Sequence, residues 1–83
     1  MINENDIELS DGLTTAVAIS LKDVNEFKSR FKKKKVYDFY IHSKVVNGNK
    51  LILNVYNSNI FNFLGMLEDF KIDWFVPSNK RRR

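Results

Sequence analysis

One histidine and no cysteine leave this 83-residue chain little for catalysis. No G-x-S-x-G, P-loop, H-E-x-x-H or Gly-rich phosphate loop occurs. Glu68 and Asp69 adjoin an expected helix end outside any acid/base motif, and Asp38 and Asp73 are isolated in sequence. His42 stands two residues from Lys44, a pattern more usual for a solvated strand histidine than for a catalyst or ligand. The sequence therefore points away from an enzyme, and no cofactor or metal site is expected. The residues that do cluster are bases. Positions 28–35 read KSRFKKKK, six bases in eight, and the chain closes on Lys80, Arg81, Arg82 and Arg83. Clustered Lys and Arg release counterions from a polyanion, so this pattern suits the phosphate backbone of DNA or RNA.

On that reading Lys32, Lys33, Lys34, Lys35, Arg81, Arg82 and Arg83 contact phosphates, with Lys28 and Arg30 at the margin. Plainer explanations stand beside it. A helix dipole favours cations in its last turn. The first twelve residues carry Glu4, Asp6, Glu8 and Asp11 with no base, and this arm could fold back and neutralise the basic run. An acidic protein or membrane surface is a further possible partner.

Composition sets the frame for these residues. A hydrophobic content of 43% with 13% aromatics is that of a folded globule rather than a disordered tail. The length suits one domain with a modest core. Absence of cysteine excludes disulfides and fits a reducing compartment. No apolar run approaches bilayer-spanning length, and the acidic start MINENDIELSDG is unlike a signal peptide. A cytoplasmic protein is the expectation. Abundant Asn, Lys, Ile and Phe fit an AT-rich genome, and a short chain of this kind would suit a phage or mobile element.

The elements that must position the bases can be read in order. Residues 1–13 form an acidic arm, 14–77 one α+β domain, and 78–83 a basic tail. TTAVAISL, residues 14–21, alternates as a strand. A helix is expected over 24–35, with Asp23 as N-cap, Glu26 completing a capping box, and Phe27 and Phe31 inward. VYDFYIHSKVV and KLILNVY, joined by NGN, read as a β-hairpin over 36–56. Facing residues must share a side of the sheet. That selects a three-residue loop, Asn47-Gly48-Asn49, pairing Ile41 with Val55, Val45 with Leu51 and Tyr40 with Tyr56. NIFNFLGMLEDF reads as a second helix capped by Asn57 or Ser58. KIDWFV, 71–76, reads as a last strand with Ile72, Trp74 and Val76 inward, ended by Pro77.

The expected fold is therefore α+β and ferredoxin-like, βαββαβ, with strands in the order fourth, first, third, second and two helices on one face. Such a topology would bring the end of the first helix and the C-terminal tail to one pole. The helix-free face would carry Tyr40, His42, Lys44, Ile52, Asn54, Tyr56 and Phe75. RNA-recognition motifs use this topology, but their third strand is rich in aromatics, whereas KLILNVY offers only Tyr56. Base stacking on the sheet is not expected, and the open face reads equally as a protein interface or a self-association surface. Two functions follow. The first is a small non-catalytic nucleic-acid-binding protein acting through the basic pole. The alternative is a protein-interaction module, a mobile-element or phage-type inhibitor or adaptor, docking by the open sheet face to a partner or to a second copy of itself as a homodimer.

Overall fold

The computed structural model of the chain describes residues 7–77. Alternation over Thr14–Ser20 does produce a strand, β1, with Thr15, Val17 and Ile19 buried on one side. The hairpin strands are β2, Ile41–Asn47, and β3, Lys50–Tyr56; β4 is only Trp74–Phe75. These form one four-stranded sheet in the order β2-β3-β1-β4, and every neighbouring pair is antiparallel. Three α-helices accompany it: α1, Val24–Arg30; α2, Lys34–Tyr40; and α3, Ile60–Asp69. Val17, Ile19, Ile41, Leu51, Leu53 and Val55 from the sheet meet Phe27, Phe31, Ile60, Phe63, Leu64 and Leu67 in one core. The helices pack on the face that carries the buried side chains Val17, Ile19, Leu51, Leu53 and Val55.

The ferredoxin-like βαββαβ expectation with two helices is corrected. The chain runs β-α-α-β-β-α-β, and the extra helix lies over Lys34–Tyr40, where a strand was expected to begin. Val36–Tyr40 is rich in β-branched and aromatic residues, and its apolar pattern fits either period. Tertiary contact decides, as it commonly does for weak propensities. In a helix, Tyr37 and Tyr40 fall on one side, and they reach Phe27 and Phe31 with ring centroids 6.4 and 6.3 Å apart. The expected 24–35 helix is interrupted: α1 ends at Arg30 and α2 begins at Lys34. Continued, it would stack Lys28 over Lys32 and Arg30 over Lys34, like-charge pairs that each cost a few tenths of a kcal/mol. The break turns Phe31 into the core, 3% exposed, and α2 then carries the Lys34–Asp38 pair at 2.8 Å.

The hairpin register also departs from expectation. Ile41 faces Val55, as the face argument required, but a bulge at His42 then shifts the strand by one. Beyond it Ser43 faces Asn54, Val45 faces Ile52 and Asn47 faces Lys50. The loop is two residues, Gly48-Asn49, with Gly48 at φ 65°. Glycine at the first central position is the signature of a type II′ hairpin turn. The bulge absorbs the odd residue that a two-residue loop would otherwise leave in the wrong face.

Helix ends are tied differently from the expected caps. Asp23 makes no capping hydrogen bond; Ser20 instead accepts from the Lys22 backbone N–H at 3.2 Å, and Glu26 pairs with Arg30. Asn57 does not cap α3. Its side-chain oxygen accepts from the buried Thr15 hydroxyl at 2.5 Å, and its amide donates to the carbonyls of Ser10 and Gly12. This fastens residues 10–13 beneath the core, against which Ile7 and Leu9 also pack.

The last strand is short because its first residues belong to a helix stop. After α3, the Lys71 N–H donates to Glu68 and the Ile72 N–H to Leu67, at 3.1 and 2.9 Å. These are the nested bonds of a Schellman motif, with Ile72 and Leu67 making its buried apolar contact. Lys71 occupies the left-handed position at φ 63°. Trp74 is only half-buried, and its indole N–H donates to Glu68 at 3.2 Å, while Ile72 and Val76 are buried.

Two stability outcomes follow. Phe31→Ala should cost about 3–5 kcal/mol, enough to populate the unfolded state of so small a domain; a denaturation midpoint unmoved in urea would contradict this packing. Lys71→Gly should raise stability by about 1 kcal/mol by relieving the left-handed backbone, read as a Tm increase of roughly 4–8 °C. A fall in Tm would remove that account of the helix stop.

Candidate nucleic-acid interface

The basic run is organised by the one apolar residue inside it. Phe31 is 3% exposed. Its ring stacks on Phe27 at 4.8 Å and touches Phe63 and Phe70 at 5.3 and 5.9 Å. With Phe31 turned inward between α1 and α2, Lys28, Arg30, Lys32, Lys33, Lys34 and Lys35 are all exposed. The sequence-based candidates therefore do share one surface segment.

Only two of these six are paired with carboxylates among the described residues. Arg30 Nε lies 2.7 Å from Glu26, and its guanidinium also covers the Phe70 ring at 4.7 Å. Lys34 Nζ lies 2.8 Å from Asp38, whose hydrogen bond and charge raise the ammonium pKa above its ordinary 10.5. Lys28, Lys32, Lys33 and Lys35 are left for an outside anion. Burying part of that charge against phosphates costs no internal ion pair.

Lys44 joins this side of the molecule. It was expected on the open face of the sheet with Tyr40. The bulge at His42 turns it over, so that it faces Leu53, and its Nζ lies 5.5 Å from the Tyr37 ring centroid of α2. Tyr40 is corrected as well. It ends α2 and packs its ring on Phe31 and Phe63, on the helix side, rather than opposing Tyr56. Arg81, Arg82 and Arg83 lie outside the described residues, and so does the convergence of tail and helix at one pole. Of the acidic arm, Glu4 and Asp6 are likewise outside.

Beside the lysines runs a groove of about 260 Å³ lined by Lys35, Val36, Phe39, Tyr40 and Met66. Phe39 is 56% exposed there, next to Tyr40 with ring centroids 5.0 Å apart and planes at 90°. A strand over 36–46 would put Phe39 on the same side as Ile41, in the core, whereas in α2 it points outward. The available signal was the Lys34–Asp38 spacing of four, which suits a helix.

The helix-free face holds the rest of the candidates. His42 Nδ1 lies 3.3 Å from the Tyr56 hydroxyl, and Asn54 donates to the Ser43 hydroxyl at 3.0 Å. Val45, Ile52, Ala18 and Phe75 face one another in a single row across all four strands. Val45 and Phe75, at its two ends, are 55% and 43% exposed. Lys50 extends over Phe75 with Nζ 5.7 Å from the centroid. Among the described residues no group of three or more histidines and carboxylates could hold a metal, and no helix is long and apolar enough to cross a membrane.

Compared with protein-family models, with curated protein sequences and with solved structures, the chain has no match.

The turned-over Lys44 is directly checkable. Its side-chain methylenes should show nuclear Overhauser contacts to the Tyr37 ring and upfield ring-current shifts. Contacts from Lys44 to Tyr56 instead would restore the unbulged register.

Proposed function

We propose that this protein is a small, non-catalytic nucleic-acid-binding protein whose basic surface follows the junction of α1 and α2. The observation that carries the reading is the anchoring of Phe31. It presents Lys28, Lys32, Lys33 and Lys35 outward, with no carboxylate partner among the described residues. Lys44, brought to the side of α2 by the hairpin bulge, adds a further cation. Phosphate binding by such a set is driven by counterion release and needs no preformed pocket. Contacts of this type position a backbone without reading sequence. Arg81, Arg82 and Arg83 would extend the surface.

A second reading is favoured by a different observation. The apolar row Val45–Ile52–Ala18–Phe75 crosses the sheet face opposite the helices, exposed at its two ends, Val45 and Phe75, and flanked by the polar pair Ser43–Asn54 and by Lys50. An apolar strip with a polar rim is the make-up of a protein-docking surface, for a partner or a second copy of the chain. His42 and Tyr56 would lie at its edge.

Salt-dependent binding separates the two. Fluorescence anisotropy with DNA and RNA oligonucleotides at low salt should show binding that weakens steeply as salt rises. Replacing Lys32, Lys33 and Lys35 together by Gln should reduce the magnitude of the log K against log salt slope by about 2–3. Thermal stability should hardly change, since these exposed side chains support no ion pair among the described residues. No binding at low salt, or an unaltered slope in the triple variant, would reject the nucleic-acid reading and leave the sheet face as the interaction site.

A further inference from the structure

The basic run adjoins an exposed aromatic side chain, and the two together say more than either alone. Phe39 follows Lys35 by one helical turn on α2, so the ring and the ammonium are neighbours on one side of the helix. Both line the groove that Tyr40 and Met66 complete. One wall is rigid, because Tyr40 is held by ring contacts to Phe31 and Phe63. The other wall, Phe39, is more than half exposed although it is a large apolar residue. The core gains little from leaving it there.

We infer that the surface takes single-stranded nucleic acid, with one unstacked base seated on Phe39 in the groove between α2 and α3 while adjacent phosphates lie along Lys35, Lys33 and Lys32. This rests on the nucleic-acid reading above and names its substrate class. The groove, about 260 Å³, is smaller than the roughly 300–1,000 Å³ of pockets that enclose whole ligands. It has room for one flat ring rather than a large molecule. In a duplex the base faces are already stacked and cannot reach Phe39. In a single strand a base can turn out onto an aromatic ring while its phosphates remain on nearby cations. Charge favours the same occupant, since Lys35 belongs to the groove itself and Lys32 and Lys33 precede it. Among the described residues the sheet face pairs its exposed ring, Phe75, with a single cation, Lys50, rather than with a run.

The test compares one oligonucleotide sequence, single-stranded and annealed to its complement, by anisotropy at fixed low salt. The wild-type protein should prefer the single strand. Phe39→Ala should weaken single-strand binding roughly 5- to 100-fold and leave duplex binding unchanged. Phe39→Leu keeps apolar bulk but removes the aromatic face, and it should lose the same preference, so a packing defect in the alanine variant does not decide the outcome. Phe39→Trp should retain it, with indole fluorescence quenched on binding. If Phe39→Ala and Phe39→Leu bind the single strand as the wild type does, while the lysine triple variant binds neither form, the inference is overturned and the nucleic-acid reading stands. If no form of the protein binds either oligonucleotide, both fall. Phe39-dependent capture of an acidic, apolar peptide without any single-strand binding would assign the groove to a protein partner and also overturn the inference.

Discussion

Burial of Phe31 is the constraint on which the rest of the structure depends. It is the only apolar residue among eight positions otherwise filled by bases and one serine. Left in water, the run would be one more charged helix end. Buried, the ring joins α1, α2 and α3 through Phe27, Tyr40, Phe63 and Phe70. A fully buried phenylalanine is worth about 1.5–3 kcal/mol by area, several times the gain from either exposed ion pair nearby. Apolar burial therefore sets the path of the backbone, and the lysines take the solvent side that remains. The basic surface is a consequence of the core.

The same division of labour separates the two faces of the sheet. The helix side is closed by aromatic packing, and its rim is cationic. The free side holds the Val45–Ile52–Ala18–Phe75 row between more polar neighbours. At its edge, β2 leaves Val45 and Val46 exposed, which invites pairing with another strand. The bulge at His42 and the charge of Lys44 are devices that restrain such pairing. Lys44 thus has two effects: it guards the edge and adds charge to the α2 side.

How much of this was legible in the sequence follows from which interactions are local. Strand β1, the hairpin and α3 were readable from alternation, turn residues and helical spacing. So were the inward positions of Phe27, Phe31, Ile72 and Val76, while Trp74 proved only half-buried. α2 was harder to read, because Val36, Tyr37 and Phe39 favour strands locally, the Lys34–Asp38 spacing was the one helical cue, and the contacts of Tyr37 with Phe27 and of Tyr40 with Phe31 and Phe63 are not local. The bulge at His42 has no local signature either. It answers a mismatch between a two-residue turn and the faces of two strands, so it depends on both partners at once. Missing it misplaced Lys44, and missing α2 misplaced Tyr40 and hid the exposure of Phe39. Asn57 was read as a cap from its type, whereas its partners, Thr15, Ser10 and Gly12, are more than forty positions away. The cluster of bases was legible because it needs only composition. Which side of the molecule it shares with Lys44 and Phe39 was not.

The central claim is that binding belongs to the α1–α2 junction and not to the sheet face. Amide chemical-shift mapping during titration with a short single-stranded oligonucleotide at low salt tests it most directly. The account expects the shifts to concentrate at residues 28–36, at Phe39 and at Lys44, with Ala18, Val45, Ile52 and Phe75 unmoved. Shifts confined to that apolar row, or no shifts at any residue, would contradict it.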